Sequence, residues 1–437
     1  MGADTVSSTT IVIDLGLDRG EPETYESPSR STLPVWLAPV VVGLLVLISS
    51  VGSAAPPPPA LSPLLSLHVG PADSFALTDH QELLAQTLGT VTAYDLTTGE
   101  QRWVADQERP TYRLRTAAGL VLMRPWTYGP GQPSTTALSL ATGVPQWRHE
   151  GTVTSLPGSD TLLAVSTVRS GGTNRRIQGP VEALDPRTGA ARWRIDVPTT
   201  AVLLGVPGPN DAGVRLMLLH DDRTAAVHDL ATGRLITETR LPPANYGPEN
   251  PAVSGGLVLL RHLGRYGAEV TAYDPATLRT VWNRPAGRAY EVRACGRVAC
   301  LVGPDGVRGI DPADGSVRWL NPRWRSIETR GAMLLAYGTS AGAANPAGIV
   351  DPATGRVLLD LGGWRPVGGT GGDHQLVTRV VDAGARTMVA VAGPGMTGPQ
   401  PLADLPPGTG DCQAAPNRLV CRSTSGDLTV WAYRKKD

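Results

Sequence analysis

Short apolar runs bounded by Gly, Pro and Ser recur along most of this chain. GLVLM (119–123), TLLAVSTV (161–168), VRLMLLH (214–220), GLVLLRH (256–262) and MLLAYG (333–338) are too short for core helices. Their length and flanking turn residues predict buried β-strands. A second pattern alternates with them. VTAYDLTTGEQRW (Val91 to Trp103) returns as VEALDPRTGAARW (Val181 to Trp193) and VTAYDPATLRTVW (Val270 to Trp282). A phrase returning at a near-fixed period marks a repeat architecture.

The phrase condenses to Ala-x-Asp-x-x-Thr-Gly-x-x-x-Trp. Ala93, Asp95, Thr98, Gly99 and Trp103 fill it, as do Ala183, Asp185, Thr188, Gly189 and Trp193. Ser139 replaces the Asp beside Ala137, Gly143 and Trp147, and Leu278 replaces the Gly between Asp274 and Trp282. Asp311, Gly315 and Trp319 form another copy. Two copies lack the Trp: Asp229 to Gly233 is followed by Thr237, and Asp351 to Gly355 by Leu359. The Asp position recurs at intervals of 37 to 46 residues. Chemically, the Asp carboxylate suits backbone N–H groups two or three residues on, and Gly supplies the left-handed conformation that ends the turn. The Trp falls on the following strand, where a large apolar ring with one N–H suits a seam between sheets. These residues read as structural.

Four strands per period of about 40 to 45 residues is the signature of a β-propeller blade. The phrase resembles the tryptophan-docking motif of quinoprotein dehydrogenase propellers, and residues 62–437 look like a pyrroloquinoline quinone (PQQ)-like repeat protein. The resemblance implies an all-β propeller of four-stranded antiparallel blades in which the motif locks neighbouring blades. RTMVAVAG (386–393) and DLTVWAYR (427–434) continue the rhythm as third strands without the motif. The tally offers nine candidates; eight blades are expected, with seven and nine left open. The C-terminus supplies three strands and PLLSLHV (63–69) one, so the ends are expected to share a blade, which removes exposed edges.

A different pattern occupies the N-terminus. Residues 33–55 carry no charge, enough to cross a bilayer as one helix. The preceding tail, 1–32, is acidic (Asp4, Asp14, Asp18, Glu21, Glu23, Glu26) and reads as disordered, unlike the basic start of a signal peptide. Pro56 after Ser53-Ala54-Ala55 argues against cleavage, and 56–61 reads as a Pro-rich linker. Arg19 and Arg30 precede the span, and no Lys or Arg follows it until Arg102. The expectation is a single-pass membrane protein, its N-terminus cytoplasmic and its main domain extracytoplasmic.

Composition refines this picture. Basic and acidic residues number 39 each, so no overall field attracts nucleic acid. Lys occurs only at 435 and 436, and with one Phe and abundant Ala this fits a high-GC bacterial genome. Cys295/Cys300 and Cys412/Cys421 are spaced for neighbouring strands of a hairpin, and in an exported domain two disulfides are expected. Neither pair, nor the seven scattered His, has metal-ligand spacing. GGTGGD (368–373) lacks the Lys and Ser/Thr of a phosphate loop and reads as a blade-connecting loop.

The resemblance implies, in its enzymes, a quinone above a disulfide of adjacent cysteines, with calcium and a catalytic Asp. This chain has no adjacent cysteines, and its recognisable Asp residues sit in turns. No catalytic residue, cofactor or metal is therefore assigned. Longer insertions at 124–134, 169–180 and 241–250 fall on one propeller face, where Trp126, Tyr128 and Tyr246 have no place in the repeat and Arg175 and Arg176 add positive charge. Aromatics with Arg are typical of partner-binding surfaces. The expected function is non-catalytic binding or scaffolding by a monomeric propeller at the cell envelope, with a protein or glycan partner. A divergent PQQ-dependent oxidoreductase is the alternative.

Overall fold

A computed structural model describes residues 39–40, 60–78, 81–107, 111–125, 134–169, 175–208, 213–242, 251–264, 267–338, 346–369, 374–382 and 386–434. The chain divides into two units, Met1–Pro58 and Pro59–Asp437. Of the first, only Pro39 and Val40 are described, so the expected tail and nearly all of the span 33–55 lie outside the described residues. No helix among the described residues is long and apolar enough to cross a membrane.

The second unit is all β. Its described strands form seven four-stranded sheets and one seven-stranded sheet. Within each sheet the strands pair antiparallel in sequence order, except that the first strand joins the last. The seven-stranded sheet arises because Ala191–Pro207 runs 17 residues through two repeats. Its first half pairs with Arg175–Leu184 as an outer strand, and its second half pairs with Val214–His220 as an inner one. Divided there, the described strands make nine four-stranded repeats, where the sequence favoured eight. They cover 75–106, 111–150, 152–197, 201–240, 251–287, 291–321, 324–360, 365–405, and 409–433 completed by 61–68. The nine match the number of candidates in the sequence tally, including the last two repeats, which keep their strands while losing the motif.

The shared final repeat forms as expected. Leu61–His68 pairs antiparallel with Asp427–Tyr433, Leu61 opposite Tyr433 and His68 opposite Asp427. Nine apolar clusters join the repeats, each drawing buried side chains from two in succession. One of them joins the last repeat to the first through Val420, Leu428 and Val430 against Phe75, Leu83 and Leu96. Burial of apolar surface is thus continuous around the ring, the main term holding it together. Both disulfides form, Cys295–Cys300 and Cys412–Cys421, each tying an inner strand to the second strand of its repeat.

Two expectations are corrected. The insertion 169–180 is not all loop, because Arg175–Leu184 is one strand and Arg175 pairs with Leu203. The uninterrupted Ala191–Pro207 strand offers its backbone there, and the pairing resumes past a register shift between Ile177 and Gly179. GGTGGD, of which Gly368 and Gly369 are described, lies between the first and second strands of one repeat rather than between blades. Gly368 accepts from Ala414 N at 2.6 Å and donates to Cys412 O at 3.2 Å in the next repeat. Gly369, at φ +83°, has Ala414 O only 2.0 Å from where a Cβ would stand. Glycine is required at that crossing.

Candidate functional site

The motif residues build seams. Each Asp turn closes in the same way: Gly189 N donates to Asp185 O at 2.8 Å, and the Asp185 carboxylate accepts from Arg187 N at 2.9 Å and Thr188 N at 3.1 Å. A bond from the Arg192 side chain, with the backbone bonds, holds the Asp185 carboxyl down at about 2. Thr97 beside Asp95, Thr232 beside Asp229, Arg318 beside Asp311 and Thr354 beside Asp351 lower those carboxyls too. These aspartates are committed to their turns.

Each docking Trp reaches the turn of the following repeat. Trp103 Nε1 donates to Leu140 O (2.9 Å), Trp147 to Pro186 O (2.8 Å), Trp193 to Leu230 O (3.1 Å), Trp282 to Pro312 O (2.8 Å) and Trp319 to Pro352 O (2.8 Å). Every acceptor is the residue after the motif Asp position. The ring then covers the motif Gly: a Cβ on Gly143, Gly189, Gly233, Gly315 or Gly355 would fall 2.5 to 2.8 Å from an atom of that repeat pair. At Gly315 the nearest atom is Arg284 Cγ, with Trp282 at 2.8 Å; in the other four it is the indole itself. The motif Ala also gains a reason, since Trp103, Trp147, Trp193 and Trp282 lie opposite Ala93, Ala137, Ala183 and Ala272 across the strand pair, and Trp319 opposite Gly309.

The antiparallel order sorts the connections onto two ends of each sheet. Motif turns and first-to-second-strand turns share one end, while second-to-third-strand loops and inter-repeat connections share the other. The strands flanking the three insertions singled out in the sequence end at this second end, the loop face. Trp126, Tyr128 and Tyr246 lie outside the described residues, and of Arg175 only the backbone is described. Arg176 is described, and its guanidinium is paired with the Asp221 carboxylate of the next repeat. The chain enters the propeller through Leu61, opposite Tyr433, at the turn end rather than the loop face.

A cavity of about 530 Å³ opens among the inner strands of the third to seventh repeats. Leu156, Leu203, Leu204, Val253 and Val292 form an apolar wall; Thr154, Ser155, Arg293, Glu328 and Thr329 bring polar groups. Sequence reasoning missed this site. The signal was a Glu-x-Arg pair on two successive inner strands, Glu291/Arg293 and Glu328/Arg330. Arg293 Nε binds Glu291 Oε1 at 2.6 Å, and Nη1 donates to Ile327 O at 3.1 Å. Arg330 Nε binds Glu328 Oε1 at 2.9 Å, Nη1 donates to Val367 O at 2.8 Å, and the Tyr337 hydroxyl donates to Glu328 Oε2 at 2.6 Å. Burial pushes Glu328 up, but its bonds from Tyr337 and Arg330 and the nearby Arg charges outweigh this and leave it below the usual carboxylate range. Burial and the Glu328 carboxylate together push the Tyr337 hydroxyl up. Glutamate ionised and tyrosine neutral is the resulting state.

The residues around this cavity do not fit an anionic quinone with calcium. Each guanidinium is matched by a carboxylate, and among the described residues no three His, Cys, Asp or Glu side chains gather as a metal site.

Residues 177–333 match the PQQ-like repeat family described as outer membrane protein assembly factor BamB. A comparison with curated proteins gives no match. Among solved structures, BamB from Moraxella catarrhalis is 15% identical, with 86% of this chain and 99% of that chain covered and a TM-score of 0.40. The computationally designed Ika8 protein is 14% identical over 85% of this chain and 99% of its own, TM-score 0.46. A europium-containing methanol dehydrogenase is 14% identical over 61% and 72%, TM-score 0.38. Residues 177–333 are thus similar to PQQ-like repeats, and indole-to-carbonyl seams of one pattern lie inside the matched segment and before it.

Proposed function

We propose that this chain is a non-catalytic binding or scaffolding module of the bacterial envelope: a nine-bladed propeller held to a membrane by residues 33–55, with the domain outside. Its partner is an envelope protein or glycan, met on the loop face by Trp126, Tyr128, Arg175, Arg176 and Tyr246. The observation carrying this reading is the use of charge. The motif aspartates are spent on their turns, and the inner-strand carboxylates on neighbouring arginines and a tyrosine, so no described carboxylate at the centre is poised as a base. The family description, an outer membrane assembly factor, agrees with an envelope role.

The alternative, a divergent PQQ-dependent oxidoreductase, is favoured by the quinoprotein resemblance alone. One experiment separates the two. Purified protein incubated with PQQ and calcium should show no quinone absorbance after gel filtration and no substrate-dependent reduction of an artificial acceptor. Stoichiometric quinone with turnover would establish the alternative. For the loop face, replacing Trp126 and Tyr128 together by Ala should leave folding intact and weaken partner capture, each aromatic contributing ~2 kcal/mol if it anchors the interface. For topology, protease added to intact cells should remove a C-terminal tag; full protection would reverse the orientation.

A further inference from the structure

We propose that the central cavity is a binding site for a neutral saccharide of one or two rings. Its volume of about 530 Å³ falls within the range of roughly 300–1,000 Å³ usual for small-molecule sites. The lining comes from five successive inner strands, so it is rigid and preformed, which limits the ordering cost of binding. It continues through Pro157 and Gly205 into a second recess of about 330 Å³ beside the first-to-second-strand turns, which gives a ligand a way in.

Polarity selects the ligand. One side is aliphatic: the half-buried Val253 and the edges of Leu156, Leu203 and Leu204, whose side chains pack mainly into the inter-repeat clusters, suit the C–H face of a sugar ring. The other places a guanidinium and a carboxylate side by side. The Arg293 bonds occupy Nε and Nη1, yet the side chain stays 30% exposed, so a donor edge remains. The Glu328 side chain is 39% exposed and each oxygen takes one bond, so acceptor capacity remains as well. Because these charges cancel, neither an anion nor a cation gains from entering. A ligand with adjacent groups that both donate and accept gains from both. Vicinal hydroxyls do this, one accepting from Arg293 while its neighbour donates to Glu328, and charge-assisted bonds of this kind are the stronger ones. Thr154, Ser155 and Thr329 add hydroxyls around the same space.

This proposal does not depend on the loop-face reading, and its test differs from partner capture. Full-length protein in detergent is titrated by calorimetry with N-acetylglucosamine, its β-1,4 disaccharide, glucose and maltose, then with PQQ as competitor. At least one saccharide should bind saturably and resist displacement by PQQ. Glu328→Gln, which keeps the side-chain shape, should weaken binding roughly tenfold or more. Ser155→Leu, which fills the opposite side, should do the same without touching the charges. Each variant is first checked for an unchanged thermal transition, and the one that folds decides. No saturable binding by any of the four sugars, binding unchanged in the folded variants, or displacement by PQQ would each overturn the proposal.

Discussion

Trp193 occupies the space in which a side chain on Gly233 would begin: its Cδ2 stands 2.8 Å from the position of a Cβ there. With Trp193 Nε1 bonded to Leu230 O, one aromatic residue reads both the backbone and the missing side chain of the next repeat. The Gly is needed twice, for its φ of +72° and for the ring above it.

This relationship predicts coupled losses. Trp193→Ala opens a seam cavity and should cost about 3–5 kcal/mol. Gly233→Ala forces the ring away at a left-handed position and should cost about 1–3 kcal/mol. Because both break the same contact, the double variant should cost clearly less than their sum. Chemical denaturation of the four proteins checks this, and strict additivity would show that the two residues do not form one lock.

The fourth-to-fifth seam shows the motif lost as a set. Thr237 stands where a Trp would, opposite Val227 in place of Ala, and Leu278 replaces the Gly of the following turn at φ +54°. Leu278 is buried in the apolar cluster of that seam, at the position where the motif elsewhere has the Gly beneath an indole. Thr237→Trp alone should therefore destabilise, through overpacking against Val227 and Leu278, by about 1–3 kcal/mol. Val227→Ala, Thr237→Trp and Leu278→Gly together should recover most of that loss. Thermal unfolding of the single and triple variants decides, and a triple no better than the single would mean the seam cannot accept the motif.

Ring closure uses a different donor. Arg418 Nε donates to Leu96 O at 2.8 Å, the acceptor position that a Trp serves elsewhere. Arg422 binds Gly70 O at 2.8 Å and Pro71 O at 2.6 Å, with its guanidinium 5.0 Å over the Phe75 ring. Deleting residues 61–68 bares the edge of Asp427–Tyr433 and should give concentration-dependent aggregation by light scattering. Arg418→Ala should stay monomeric and lose about 1–3 kcal/mol. A soluble, fully stable deletion would show that the N-terminal strand does not close the ring.

Acid should loosen the turns. A carboxyl held below its ordinary value in the folded state stabilises that state above the unfolded value of about 3.9, and the effect is lost as pH falls through the folded value. For Asp185 that folded value is about 2. The melting temperature should therefore fall between about pH 4 and pH 2, and less steeply in Asp185→Asn. Because these side chains are solvent-facing, the change per residue is small and the sum over several turns is what the experiment reads. A flat profile over that interval would separate the carboxylates from turn stability.

The repeat, the Asp turn, the left-handed Gly and both disulfides were legible in the sequence because each rests on local chemistry: a carboxylate two residues from its N–H, a φ that only Gly adopts easily, cysteines on paired strands. The shared last blade was legible from the strand count at the two ends of the repeat region. Contacts between repeats were not. That the Trp bonds the carbonyl after the next Asp, that the motif Ala makes room for it, and that Leu278 answers the loss at Thr237 all depend on residues some forty positions apart meeting in space. How the strands are shared among the repeats was also tertiary, since Arg365–Pro366 is only two residues long and Ala191–Pro207 serves two repeats without a break. Local pattern carries turn chemistry, which acts within a few residues. The seams and the charge-balanced cavity arise only where strands distant in sequence are packed side by side.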